Sequence, residues 1–298
     1  MYKVYLQKKE TKKLITKTKL AIAIPASVVS DTPHLREKTS KVGLIGRAAS
    51  IFRVDKIVVY PDDPKSNQER DLDFISLLLT YLETPQYLRR RLFKIEPRLQ
   101  FAGILPPLRT PHHPLSGKNK DLKVGEYREG LVLSKAKEGL LLDIGVERPA
   151  ILRETQFSID DRLTVQIINL GERTEVQTSN REDIPVYWGY TVQTEKRPIA
   201  QIVNESEYDL TIATAKLGDK FENKASSIHQ KWNQSHNVLV AFGAPSRGLQ
   251  EIAQQEGTRL RDIFDFVVNM IPEQGTATVR TEEALFASLA ILNVQFNH

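Results

Sequence analysis

Three short segments in the C-terminal third carry the residue types that a ligand pocket needs. They are Thr214-Ala215-Lys216-Leu217-Gly218-Asp219, Gly243-Ala244-Pro245-Ser246-Arg247-Gly248-Leu249 and Met270-Ile271-Pro272-Glu273-Gln274-Gly275-Thr276-Ala277. Glycine lets backbone amides come close to a ligand, and proline fixes the shape of a loop. Neither the glycine-rich dinucleotide fingerprint nor the lysine-bearing phosphate loop occurs in the chain. Other reactive types are sparse. With no cysteine, the chain has no disulfide framework, zinc ribbon, thiolate metal centre or cysteine nucleophile. His112 and His113 are adjacent, a spacing that rarely directs both rings at one metal, and no carboxylate cluster lies near them in sequence. No metal is therefore expected, and Pro111-His112-His113-Pro114 reads as a flexible loop. Ser246 lacks the strand-to-turn context and partner histidine of a hydrolase nucleophile. Trp188 and Trp232 read as core or dimer contacts rather than base-stacking platforms.

The elements that must position those segments follow from apolar periodicity. Leu210–Ala213, Val238–Phe242 and Phe266–Asn269 read as short buried strands, each followed by a helical segment at 224–234, 247–256 and 281–294. Ligands in open α/β sheets bind beyond the carboxyl ends of the strands, so the three loops make one candidate pocket. The first third repeats the α/β pattern, with a strand at about 20–26 and a helix running towards Arg53. Asp31 or Thr32 is placed to cap that helix. The strand Ile57–Tyr60 and the amphipathic helix Asp71–Leu82 follow. Between them and the C-terminal part lie Glu126–Leu133, Gly139–Ile144, Ala150–Leu152 and Arg162–Leu170, short alternating strands that suggest a small barrel. Gly130-Leu131-Val132 and Gly139-Leu140-Leu141-Leu142-Asp143-Ile144-Gly145 look like the opening hairpin of an OB-type barrel, although Tyr127 and Phe157 are the only aromatics well inside it. The expected organisation is one discontinuous α/β domain, 1–93 plus 186–298, with a barrel inserted at 94–185.

Composition fits a globular chain: 40% hydrophobic and 27% charged residues over 298 positions. Leu20–Ile24 is too short for a signal-peptide core or a membrane span, so a cytoplasmic protein without membrane attachment is expected. The formal charge of +5 is unevenly spread. There are 18 basic and 10 acidic residues in 1–93, 14 and 14 in 94–185, and 10 and 13 in 186–298. Lys8, Lys9, Lys12, Lys13, Lys17 and Lys19 form a cluster suited to a polyanion such as RNA, or a solvated tail.

The strings FGAPSRGLQEI and FVVNMIPEQGTATVRTEEALFASLAILN resemble the second and third knot loops of the SPOUT-class methyltransferases. The likeness extends to GRAASIFRVDKIVVY and to the inserted barrel, as in the archaeal and eukaryotic branch of RNA uridine-N3 methyltransferases. What the resemblance implies is an α/β fold with a C-terminal trefoil knot and an OB-like insertion. It also implies a homodimer with the active site at the subunit interface, bent S-adenosyl-L-methionine in the three loops, and ribosomal RNA as substrate. Carried onto this chain, the cofactor-binding residues are Thr214, Gly218, Gly243, Ala244, Gly248, Leu249, Ile271, Pro272, Gln274, Gly275, Thr276 and Ala277. Leu249 and Ile271 would pack on the adenine, and the absence of a phosphate cradle agrees with a cofactor that has no phosphate.

Three further residues are catalytic candidates by the same likeness. Arg47 stands where such enzymes place an arginine that reaches a neighbouring subunit's pocket; the competing reading is an ion pair with a residue such as Asp55. Arg247 would lie beside the sulfonium end, or bind RNA phosphate. Glu273 is the candidate general base, or a helix-capping or solvent-facing acid. An arginine stays protonated and can stabilise charge that develops on uracil O2 and O4. A non-catalytic RNA-binding or ribosome-associated protein with the same fold is the alternative.

Overall fold

The computed structural model describes residues 18–205 and 207–296. Lys8, Lys9, Lys12, Lys13 and Lys17 lie outside them. The run Leu20-Ala21-Ile22-Ala23-Ile24 alternates large and small apolar side chains, so a strand here must offer a wide face on one side and a tight one on the other. That strand, β1 (Lys19–Pro25), sits inside a parallel sheet of six. In chain order the elements beside it are α1 (Leu35–Ile51), β2 (Lys56–Tyr60), α2 (Glu69–Glu83) and α3 (Gln86–Leu92). Barrel strands follow: β3 (Tyr127–Ala136), β4 (Gly139–Asp143), β5 (Ala150–Leu152), β6 (Arg162–Leu170) and β7 (Thr174–Thr178). The chain then returns with β8 (Thr191–Thr194), α4 (Ile199–Glu205), β9 (Leu210–Lys220), α5 (Phe221–Trp232) and β10 (Asn237–Ala241). It closes with α6 (Leu249–Gln255), α7 (Leu260–Ile263), β11 (Phe266–Asn269) and α8 (Thr281–Phe296).

The sheet order is β11-β9-β10-β1-β2-β8, every pairing parallel. Both faces are therefore covered, as parallel sheets require. Leu20, Ile22 and Ile24 meet α1, α2, α5 and α8 on the wide face. Ala21 and Ala23 meet α4, α6 and α7 on the other. Trp232 is buried and stacks on Phe296, and Trp188 is buried as well. Helix α1 starts later than its expected cap. Its N-cap is His34, with no side-chain cap bond. Asp31 instead accepts two hydrogen bonds from the buried Lys41 ammonium, at 2.6 and 2.9 Å, because a buried charge needs a partner more than a helix start needs a cap. Among the described residues no helix is long and apolar enough to cross a membrane.

The barrel closes in the order β3-β4-β5-β7-β6, around Val132, Leu140, Leu142, Val165, Ile167 and Val176. Charged side chains fix it to the sheet. Arg162 on β6 donates to Glu83 at the end of α2 (2.8 and 3.2 Å) and to Glu129 on β3 (2.6 Å). The Trp188 indole and Thr164 hydroxyl complete the Glu129 carboxylate, at 2.6 and 2.8 Å. Burial opposes the charge of Glu129, but the Arg162 charge and the hydrogen bonds from Trp188, Thr164 and Arg162 together outweigh it, and the carboxyl lies below its ordinary range. Helix α3 docks on the same barrel face. Tyr87 donates to the Glu129 carbonyl at 2.7 Å and covers Gly145, where a Cβ would lie 2.6 Å from the ring.

The His112–His113 segment is not a flexible loop. His112 is buried, and the Nε2–H groups of both rings donate to the Glu83 carbonyl, at 2.9 and 2.7 Å, with the rings edge to face. Burial lowers both pKa values to about 4, so the rings are neutral at pH 7 and clamp the end of α2. Among the described residues no group of three or more metal-ligating side chains comes together.

Candidate functional site

Strands β11, β9 and β10 are neighbours in the sheet, so the segments leaving their carboxyl ends converge. They enclose a cavity of about 450 Å³, within the range of small-molecule sites. The first segment is not a plain strand-to-helix turn. On β11, Val267 faces Ala213 of β9, but the next residue, Val268, faces Asp219. The intervening residues 214–218 therefore leave the sheet, pass over the cavity and rejoin it at Gly218. A Cβ there would lie 2.7–2.8 Å from the Val268 backbone, so only glycine lets the chain rejoin at that point. Asn269 braces the excursion: its amide donates to the Lys216 carbonyl and its oxygen accepts from Ile271 N–H, both at 2.9 Å. Lys216 reaches the Ala277 carbonyl at 3.0 Å, tying the first segment to the third.

The second segment folds back on itself, with Ala244 N–H donating to the Arg247 carbonyl at 2.9 Å. A Cβ on Gly243 would meet Leu249 N at 2.6 Å. Thr214 donates to the Ala241 carbonyl (2.9 Å) and Thr281 to the Gly243 carbonyl (2.8 Å), so the pocket wall is held by backbone oxygens. Thr214, Gly243, Ala244, Gly248, Leu249, Ile271, Gln274 and Ala277 all line the cavity. Gly218, Pro272, Gly275 and Thr276 are not part of its lining; Gly218 acts on the wall through its backbone.

None of the three catalytic candidates is in the cavity lining. Arg47 donates to the Pro107 and Leu108 carbonyls, at 3.1 and 2.5 Å. Asp55 accepts from Leu20 N–H instead. Arg247 turns to the end of β2, with Nη2 3.4 Å from the buried Asp62 carboxylate and 3.5 Å from Asp63, and donates to Gln255 at 2.9 Å. Hydrogen bonding from Lys65 N–H and, further down, the Arg247 charge hold Asp63 below the usual carboxylate range. Glu273 is exposed, in a left-handed conformation (φ 57°), and pairs with Lys220 at 3.0 Å.

Sequence reasoning placed Lys216 and Met270 in the pocket segments but missed Asn269, Thr281 and Ser288, which also line the cavity. Ser288 is the informative one: it is 1% exposed and its Oγ has no hydrogen-bond partner. The signal was available, because Thr281, Ala284 and Ser288 fall on one face of α8 and are all small or polar. An unpartnered buried hydroxyl costs about 1–3 kcal/mol, which a ligand with a polar edge would recover. Apolar walls of Phe242, Leu249, Met270 and Ile271 and one such hydroxyl suit a flat heteroaromatic group. Lys216 is the single basic side chain of the lining and is already engaged, so the cavity does not suit a phosphate.

Residues 19–292 match the family model described as "Putative RNA methyltransferase". The chain is 32% identical to a Drosophila melanogaster protein named 28S rRNA (uridine-N(3))-methyltransferase, over 92% of this chain and 61% of that one. It is 31% identical to the Homo sapiens protein of the same name, over 92% and 77%. An uncharacterised Halobacterium salinarum protein is 30% identical over 92% of this chain and 98% of its own length. A solved structure of a methylase family protein from Neisseria gonorrhoeae superposes with a TM-score of 0.37 at 7% identity, over 98% of this chain and 88% of that one, too distant to bear on the fold. With its matched region spanning both the sheet and the barrel, the chain belongs to this RNA methyltransferase family.

Proposed function

We propose that the protein transfers a methyl group from S-adenosyl-L-methionine to N3 of a uridine in ribosomal RNA, as a SPOUT-class enzyme with a knotted C-terminal region. The observation that carries the cofactor reading is the cavity itself: small, apolar, walled by backbone oxygens, with the unpartnered Ser288 hydroxyl in its lining. Leu249 and Ile271 would hold the adenine, and the backbone of the segments at 214–218, 243–249 and 271–277 its polar edge. When bound, the cofactor supplies an electrophilic methyl group. The relatives' name supports the uridine-N3 target. There the N3 proton would pass to a base, spreading negative charge over O2 and O4, and N3 would take the methyl group as its bond to the cofactor's sulfur breaks. A fixed arginine stabilises that charge without titrating. The division into 1–93 plus 186–298 and an OB-like 94–185 belongs to the same reading.

The active unit in this reading is a homodimer. Leu44, Arg47 and Ile51 share one face of α1, where Leu44 and Ile51 are 41% and 45% exposed. Helix α8 beside it is apolar on nearly every side and leaves Val294 76% exposed. A helix apolar all round belongs in an interior, and a second copy across α1 and α8 would supply one while bringing Arg47 towards the partner's pocket.

One observation favours a second reading, a cofactor-binding but non-catalytic RNA protein: Arg47, Arg247 and Glu273 are all engaged by their own chain. Calorimetric titration with S-adenosylmethionine tests the pocket, and absence of binding at millimolar concentration would reject it. Tritium transfer from the cofactor to ribosomal RNA of cells lacking the protein, with the methyl group mapped by mass spectrometry, separates the two readings. Arg47→Ala should lower turnover about a hundredfold with cofactor affinity unchanged, because it acts on charge that develops only in the transition state. Equal loss of affinity would remove Arg47 from that role.

A further inference from the structure

Between α2 and the barrel the chain carries a dense run of positive charge. Residues 86–100 hold Arg89, Arg90, Arg91, Lys94 and Arg98 against Glu96 alone. Arg90, Arg91 and Lys94 are exposed, and among the described residues their side chains have no ion-pair or hydrogen-bond partner. Arg98 is paired with Glu96 at 2.6 Å. The barrel, β3 to β7, has the opposite balance: seven basic and nine acidic residues over 127–178. Its Arg128 and Arg162 are committed to carboxylates. The barrel's exposed cations without a partner among the described residues, Lys135, Lys137, Arg148 and Arg173, are scattered along it among acids, whereas on the segment after α2 three such cations fall within five residues.

An open groove of about 840 Å³ lies between Tyr81 on α2 and the segment 86–100, with Arg90 and Lys94 in its lining and Arg91 next to Arg90 in the chain. Two half-buried aromatic rings line it. Tyr81 and Phe93 meet edge to face at 5.1 Å, and the Arg89 guanidinium lies 4.7 Å above the Tyr81 ring. Arg89 is locked there by the Leu82 and Thr84 carbonyls, at 2.9 and 2.8 Å. Ile95, at the rim, is fully exposed. Aromatic rings set beside a run of unpaired cations are what single-stranded nucleic acid needs: a π-face for a base and charge for its phosphates. A duplex keeps its bases stacked and offers none to such a groove. The segment continues to Pro107 and Leu108, whose carbonyls hold Arg47, so the groove and that arginine are mounted on one strap.

We infer that this groove seats a single-stranded stretch of the substrate RNA, with a base against the Tyr81–Phe93 pair and phosphates on Arg90, Arg91 and Lys94. The inference rests on the RNA-methyltransferase reading and adds to it where the RNA is gripped. The test measures fluorescence anisotropy of a labelled mixed-sequence 15-nucleotide RNA, single-stranded and as a duplex, across a salt series. Changing Arg90, Arg91 and Lys94 together to Gln should weaken single-strand binding at least tenfold at 0.1 M salt. It should also flatten the log Kd against log salt slope by about 2, from about 0.7 per phosphate. Phe93→Ala should weaken the single strand about tenfold and leave the duplex unchanged. A matched triple elsewhere on the surface, Lys137→Gln, Lys224→Gln and Arg259→Gln, should change the slope little; cofactor affinity and melting temperature show that each variant is folded. Wild-type protein that binds and methylates RNA, with unchanged affinity and slope in the Arg90 triple or equal loss in the matched triple, overturns the groove alone. Polyglutamate competing as well as unlabelled RNA does the same. Wild-type protein that binds no RNA overturns both readings.

Discussion

At the junction between sheet and barrel, Glu83, Glu129, Arg162 and Trp188 form a set of side chains that satisfy one another at 2.6–3.2 Å. Around the pocket the same work is done by main chain: threonine hydroxyls and Asn269 brace carbonyls, glycines permit close approach, and Ser288 is left without a partner. At the junction these four side chains spend their charges and hydrogen bonds on one another. The pocket is complete only when something else is in it. Substitutions should therefore act on stability in the first region and on affinity in the second.

The largest effect should come from Arg162→Met, which leaves the buried Glu129 without its cation and Glu83 with only Arg181, at 3.3 Å. Burial opposes the charge of Arg162, but Glu83 and Glu129 outweigh it and hold the guanidinium above its ordinary range. Removing one partner of such a set costs about 3–5 kcal/mol. Urea unfolding should show that loss, while calorimetry shows cofactor affinity unchanged. A loss below about 1 kcal/mol would mean that the barrel is held by apolar contact and that the charges are incidental.

A pH series probes the same region without a substitution. His112 and His113 keep pKa values of about 4 in the fold, against 6.5 when unfolded. The unfolded chain therefore binds more protons between those limits. Stability is fully present above about pH 6.5 and is lost as pH falls towards 4. One such shift corresponds to about 3 kcal/mol across the window. His113→Gln should flatten the profile of urea midpoint against pH by about half; an unchanged profile would show that other groups set it.

The contrast sharpens at two glycines. Gly218→Ala places a Cβ against the Val268 backbone and should cost about 2 kcal/mol as well as ligand affinity, because the excursion it closes forms the pocket wall. A Cβ on Gly275 meets nothing within 4 Å, so Gly275→Ala should stay within about 0.5 kcal/mol. Equal costs at both positions would refute the account of the wall.

These contrasts also explain which parts were legible in the sequence. The pocket loops are contiguous, and their strands have clear apolar runs, so Phe266–Asn269 is placed to the residue. The excursion at 214–218 reads as a loop from its small residues, although strand geometry continues to Lys220. The junction was invisible because its partners are remote: Arg162 and Glu83 are 79 residues apart, Trp188 and Glu129 59. Spacing carries no information about a pairing made by topology. Helix α3 was missed for another reason: with only Leu88 buried, it has no apolar stripe to read. The cap at Asp31 failed because Lys41, ten residues on, competes for the same carboxylate.

The smallest expected effect separates the two regions most sharply, because it should have opposite signs at neighbouring hydroxyls. Thr281 is satisfied in the free protein, donating to the Gly243 carbonyl at 2.8 Å. Thr281→Val removes a made bond and leaves a carbonyl short, so about 1 kcal/mol of stability should go. Ser288, two helical turns along the same face, makes no bond to lose. Ser288→Ala removes a hydroxyl that the free protein keeps desolvated, so unfolding in urea should be unchanged or slightly harder. Bound ligand reverses the comparison. If its polar edge meets the Ser288 hydroxyl, Ser288→Ala should weaken cofactor binding about fivefold, the equivalent of roughly 1 kcal/mol. A Ser288→Ala protein that is destabilised by more than about 1 kcal/mol yet binds cofactor as before would show that the hydroxyl serves the helix, and the described lining would then lose its one buried polar group without a partner.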